Sequence, residues 1–274
     1  MKGVCKLCCK HAELKHSHIV PDFYIRSLEE RENTGSHGIA QPTSIALSTK
    51  ADFRDGPKQR GYWEKRLGLK EYLLCEECEG KFQKLEIYAR HLFYGNSPAP
   101  LKKLILGKSI FFEPIATTGK RLDVRDVTVD YAKIKLYQMS LLWRASVATG
   151  EFFRTVNLGA KHEAKLQQFL VRCDPSAEDE YPCVIIDLRY EDGGCEDHIL
   201  QTTAHRDDQG QRIYSMILGG FQFLYSVSAH QATEVFQNCS VRANGKMRLL
   251  VGNAEAVLQK WATLLKDAGK LKAG

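Results

Sequence analysis

Cys5 and Cys8 stand two residues apart, and so do Cys75 and Cys78. A C-x-x-C step turns the chain tightly enough for both sulfurs to reach one ion. Two such steps complete a closed tetrahedral shell of thiolates, the donor set of a structural zinc site. Cys9 offers an alternative to Cys8, but the two-residue step from Cys5 fits the turn better. Sites of this kind contribute roughly 10–16 kcal/mol of folding free energy, enough to hold a layer that has little core of its own. Cys173, Cys183, Cys195 and Cys239 lack ligand spacing and read as ordinary thiols. Between the two pairs lies Ser17-His18-Ile19-Val20-Pro21, and Glu79 directly follows Cys78. A histidine exchanges protons near neutral pH, and a carboxylate is a hard-ion donor. His16, two residues before His18, shares its face on a strand. Glu86, seven after Glu79, shares its face on a helix.

The elements that must position these groups follow from the pattern around them. Val4–Val20 reads as a metal knuckle followed by a β-ribbon, and Pro21-Asp22 starts a turn or helix through Leu28. Leu69–Leu74 leads into the second knuckle. Glu79–Phe93 is helical, with Phe82, Leu85, Tyr88 and Leu92 at three- to four-residue spacing. Residues 29–67 lose periodicity and are rich in Gly, Ser, Thr, Asn and charge, which makes them an inserted loop between the halves of the finger. Short apolar strands are expected at Leu104–Leu106 and Ile110–Phe112. A helix over Asp130–Thr149, capped by Asp130 and stopped by Gly150, is followed by another over Lys161–Cys173. Strands are expected at Cys183–Arg189, His198–Ala204, Arg212–Leu218, Phe221–Ser228 and Met247–Val251, with a final amphipathic helix capped near Asn253. The expected organisation is α+β. A metal-held finger domain occupies residues 1–122, and an α+β domain with a mainly antiparallel sheet, of unknown role, occupies 123–274.

Composition narrows the function classes. The 274 residues are 43% hydrophobic and 26% charged, an ordinary globular balance. Neither a signal segment nor an apolar run long enough for a bilayer is present, so a reducing, cytoplasmic setting and no membrane partner are expected. The net charge of +6 lies entirely in one half. Residues 1–120 hold 20 Lys/Arg against 14 Asp/Glu, whereas 121–274 hold 19 of each. A cationic face attracts a polyphosphate by counterion release. Within the loop, Arg54, Lys58, Arg60, Lys65 and Arg66 interleave with Phe53, Tyr62 and Trp63. That run suits phosphate tracking with stacking platforms, and equally a charged surface loop. Arg144, inside Leu141-Leu142-Trp143, reads as a structurally paired charge on a buried helix. His205–Asp208 reads first as a hairpin turn.

The pieces Cys5-x-x-Cys8, Ser17-His18-Ile19-Val20-Pro21 and Leu74-Cys75-x-x-Cys78-Glu79 resemble the HNH endonuclease superfamily in its zinc-bound treble-clef (ββα-metal) form. They resemble in particular a bacterial subgroup with Ser-His-Ile-x-Pro. The likeness covers residues 4–93. It implies phosphodiester hydrolysis of nucleic acid, DNA ahead of RNA, with His18 as general base. It also implies a catalytic Mg2+ or Mn2+ ion held partly by Glu79, apart from the structural zinc. Three departures accompany it: Ser17 replaces the family's first ligand, Glu79 replaces its last histidine, and Lys70 and Glu71 stand where it has an Asn. The other reading is a non-catalytic zinc-finger module that binds nucleic acid or a protein. The second domain is then left for specificity, a protein partner or self-association.

Overall fold

A computed structural model of the chain describes residues 1–25, 45–46, 69–95, 123–190, 199–227 and 232–267. Strands β1 (Lys2–Val4), β2 (His11–His18) and β4 (Lys70–Cys75) form a small antiparallel sheet in the order β1-β2-β4. Helix α1 (Glu76–Tyr94) begins directly after Cys75, with Glu76, Glu77 and Glu79 in its first turn, where negative charge suits the helix dipole. Its buried Phe82, Ala89 and Phe93 recur along one stripe.

Helix α2 (Tyr131–Val147) packs against α1 and shares one large core with the second sheet. Its N-cap Asp130 accepts a hydrogen bond from the Lys133 amide. Every residue from Ile134 to Ala145 is buried, the mark of a helix enclosed on all sides. Lys135, Gln138, Ser140 and Arg144 therefore lie inside the protein and need partners there. Helix α3 (Ala160–Arg172) packs beside it, after a 3-10 turn at Glu151–Phe153.

The second sheet orders its strands β3-β7-β8-β9-β6-β10-β5, with β3 the short strand Ile45–Ala46 at one edge. Strands β6 (Cys183–Arg189), β7 (Ile199–Arg206), β8 (Arg212–Leu218), β9 (Phe221–Val227), β10 (Lys246–Asn253) and β5 (Asp123–Thr128) pair antiparallel except β10 with β6. Ile185, Met216, Phe223 and Leu249 belong to the large core shared with the first sheet, α1 and α2. Val184, Ile213 and Leu250 lie in a second cluster with Phe236 of α4 (Glu234–Cys239). Leu188 and Ile217 meet Val257, Leu258 and Trp261 of α5 (Ala254–Asp267), whose start is capped by the Asn253 side chain. The β8–β9 hairpin turns at Gly219-Gly220, both with positive φ. A Cβ on Gly219 would stand 1.9 Å from the Tyr94 hydroxyl, so only glycine fits.

The expected α+β class and mainly antiparallel sheet are observed, with most elements within two residues of their predicted spans. Within the segment expected to be an inserted loop, 45–46 form strand β3, which pairs parallel with β7. Strand β5 and helix α4 were not anticipated, because each is short and β5 sets three charged residues among only two valines. The remainder of the 29–67 insertion up to 67, the segments 104–106 and 110–112, and Cys195 lie outside the described residues. No helix among the described residues is long and apolar enough to cross a membrane.

Candidate metal centre and the His18 cluster

The first knuckle is set by local backbone bonds, the Cys5 amide to Lys10 and the Cys9 amide to Cys5, while the Lys6 amide reaches Leu73 on β4. These bonds bring the two C-x-x-C steps together. The sulfurs of Cys5, Cys8, Cys75 and Cys78 all lie within 4.8 Å of one another, and the Cys8 and Cys75 sulfurs are 3.8 Å apart. An ion with thiolates at about 2.3 Å has a tetrahedral edge of about 3.8 Å, so the donor set fits a metal ion. Burial raises the Cys5 thiol, but amide hydrogen bonds around Cys8, Cys75 and Leu7 outweigh it and hold the group at about 7. Burial and the neighbouring thiols push Cys78 up. Four thiolates this close repel one another unless a cation sits between them.

Cys9 is excluded from the cluster. It turns outward with φ of 60°. Its sulfur receives Nε2 of Gln167 at 3.3 Å, and that amide also donates to the Lys6 and Leu7 carbonyls at 2.7 and 2.9 Å. Helix α3 thus clamps the knuckle from outside.

The second cluster forms where β2 ends. Ser17 is fully buried, and its Oγ points back to the Lys15 carbonyl; His18 faces the other way. Burial, then the Lys70 charge, pull the His18 imidazole down to about 4 against the opposing pull of Asp22. It is therefore neutral at physiological pH. Its Nε2 lies 3.1 Å from Oδ1 of Asp22, whose charge and hydrogen bond oppose the downward shift. Asp22 opens the helical turn 22–25.

Arg144 joins this strand end to α1. Its Nη1 donates to the His18 carbonyl at 2.7 Å and to Oε1 of Glu86 at 2.6 Å, and Nε reaches the Ser140 carbonyl at 3.3 Å. The guanidinium also lies 5.3 Å over the Phe82 ring. The Arg144 side chain is 2% exposed and that of Glu86 19%. Burial raises the Glu86 carboxyl, Arg144 opposes this, and the charges of Glu79 and Asp22 raise it further. Glu79 and Asp22 are thus close enough for their fields to reach Glu86. Glu79 Oε2 and Arg144 Nη2 are both buried without a hydrogen-bond partner. Buried polar atoms are normally paired, so these two leave polar capacity open beside His18.

Among the described residues, the four cysteines are the one group of three or more potential ligands at mutual metal-binding spacing. The side chains around His18 are not drawn in that tightly. His16 faces the side of His18, but its ring stacks on Tyr72, centroids 5.0 Å apart. Glu71 accepts from the Thr149 and Gly150 amides, both at 2.8 Å, and so ties β4 to the end of α2. Asp207 Oδ1 accepts from the Gln209 and Gln211 amides, as a hairpin turn requires. Arg54, Lys58, Arg60, Lys65 and Arg66 lie outside the described residues. Sequence reasoning missed Asp22; its position four residues after His18, at a helix start, was the available signal. No protein-family model matches the chain, and no curated protein and no solved structure matches it.

Proposed function

We propose that this chain is an HNH-like, zinc-held enzyme that hydrolyses nucleic-acid phosphodiesters. The observation that carries the reading is the cluster at the end of β2, where His18 Nε2 lies 3.1 Å from Asp22 Oδ1 while Glu79 Oε2 and Arg144 Nη2 are buried without a hydrogen-bond partner; His18 and Glu79 are the residues the motif assigns to catalysis. In this reading the four cysteines hold zinc, and the ribbon β1-β2-β4 with α1 is a treble-clef finger. Zinc is favoured by four soft thiolates at tetrahedral spacing.

His18 acts as general base. Its neutral imidazole takes a proton from the attacking water as the new P–O bond forms and the bond to the 3′ oxygen breaks. Glu79, with Asp22 and Glu86 near it, offers the hard oxygen donors a Mg2+ or Mn2+ ion requires. When bound, such an ion supplies charge stabilisation at the phosphoryl and leaving oxygens. Arg144 fixes the backbone of the base through the His18 carbonyl.

A second reading has one observation in its favour. Ser17 is turned into the core, so the position that gives the superfamily its first ligand contributes nothing, as in a non-catalytic module that binds nucleic acid or a protein. Nicking of supercoiled plasmid across Mg2+, Mn2+, Ca2+ and Zn2+ separates the two. Catalysis predicts nicking by the wild type and a loss of about 100-fold or more in His18→Ala. Binding without cleavage in any ion, or cleavage unchanged in His18→Ala, removes the enzyme reading.

A further inference from the structure

The β2–β4 ribbon carries a surface that neither the metal centre nor the catalytic cluster explains. Its register pairs His16 with Tyr72 and His18 with Lys70, with a bulge between Lys15 and His16. Because strand side chains alternate, these four residues share one face of the ribbon. Ser17 and Glu71 turn to the other, where Ser17 is buried and Glu71 grips the end of α2. The bulge re-aims the strand, as bulges beside functional sites do: Lys15 and His16 are both exposed in succession.

Tyr72 is 50% exposed, one of the few large apolar side chains among the described residues left open to solvent. Its ring is already held flat, 27° from the plane of His16. A ring fixed in this way presents a broad π-face and loses little freedom when another ring joins the stack. The adjacent charge is the Lys70 ammonium, suited to a phosphate one step along a strand.

We infer that the His16–Tyr72 pair is a stacking platform for a nucleobase next to the phosphodiester at His18, with Lys70 contacting the neighbouring phosphate. The inference rests on the proposed nuclease reading and names the substrate feature it takes: a base unstacked from its neighbours, in a single strand or a distorted duplex. Base–aromatic stacking is tolerant of sequence, so this subsite gives affinity for unpaired nucleotides rather than a sequence preference.

The test compares two ligands of equal charge, a short fluorescent oligothymidylate and the same phosphodiester chain made abasic, both held in Ca2+ on the full-length His18→Ala protein. Added Tyr72→Ala should weaken oligothymidylate binding by about tenfold or more and leave the abasic chain within about twofold. Tyr72→Phe and Tyr72→Trp should restore the preference for bases, which a purely structural tyrosine would not do. Circular dichroism and metal content confirm that each variant folds. Equal affinity of Tyr72→Ala and its parent for oligothymidylate, or an equal loss on both ligands, overturns the platform while leaving plasmid nicking intact. If the parent binds neither ligand and the wild type does not nick plasmid, the platform and the nuclease reading fail together.

Discussion

Replacing Arg144 with Met removes the cation that holds three elements at one point. Glu86 would be left with a largely buried carboxylate, and the His18 carbonyl would lose its 2.7 Å partner. Removing one member of a buried ion pair costs roughly 3–5 kcal/mol. Here the cost should fall toward the lower end, because Glu86 can take up a proton. Its carboxyl is already raised by burial and by the charges of Glu79 and Asp22, and only Arg144 opposes that rise. Glu86→Leu alone strands the guanidinium, which cannot neutralise itself, so it should cost more than Arg144→Met. The double variant Arg144→Met/Glu86→Leu leaves no unpaired charge and should recover most of the loss, within about 1–2 kcal/mol of wild type. Urea unfolding of all four proteins gives the coupling directly. A double variant as unstable as the sum of the single ones would refute the buried-pair argument. Under the proposed nuclease reading, plasmid nicking adds a second readout: the double variant should be folded yet impaired, because the His18 backbone has lost its anchor.

Two further outcomes are expected. Purified protein should carry about one zinc per chain, and Cys75→Ser should lose it and expose the finger to proteolysis, since roughly 10–16 kcal/mol is at stake; full protection without metal would sink the site. Lys135 is buried, and its Nζ donates to the Glu180 carbonyl at 2.5 Å and to the Glu178 and Tyr181 carbonyls at 3.4 Å. Burial pulls its ammonium from 10.5 down to about 8, against the charges of the neighbouring acids. The unfolded chain therefore binds the extra proton between those values, so the penalty is complete below pH 8 and fades as pH rises toward 10.5. The wild type should gain up to about 3 kcal/mol relative to Lys135→Met across that window, read from urea midpoints at both ends. A gap that stays flat or moves the other way would contradict it.

The local part of this structure was legible in the sequence. Cys5-x-x-Cys8 and Cys75-x-x-Cys78 announce themselves by spacing, and Asp130 and Asn253 cap their helices with their own side chains. Strand β3 was not legible, because 45–46 carry no alternating run long enough to register. The orientation of His16 was only half legible. Strand periodicity places it beside His18, but the stack on Tyr72 depends on a register that a bulge shifts.

Arg144 marks the deeper limit. A charge inside Leu141-Leu142-Trp143 can be read as paired, yet the partners lie 58 and 126 residues earlier in the chain, and no periodicity encodes that distance. The same holds for Gln167 on the knuckle carbonyls and for Glu71 on the end of α2. Each is a polar side chain from one half satisfying backbone groups of the other. Such contacts form only once the apolar core shared by α1, α2 and the second sheet has brought the halves together. The core can be guessed from hydrophobic pattern; the polar bonds it permits then decide where His18 points. Precision at the candidate site is therefore a tertiary property, supplied by α2 and α3 rather than by the motif that first draws attention to it.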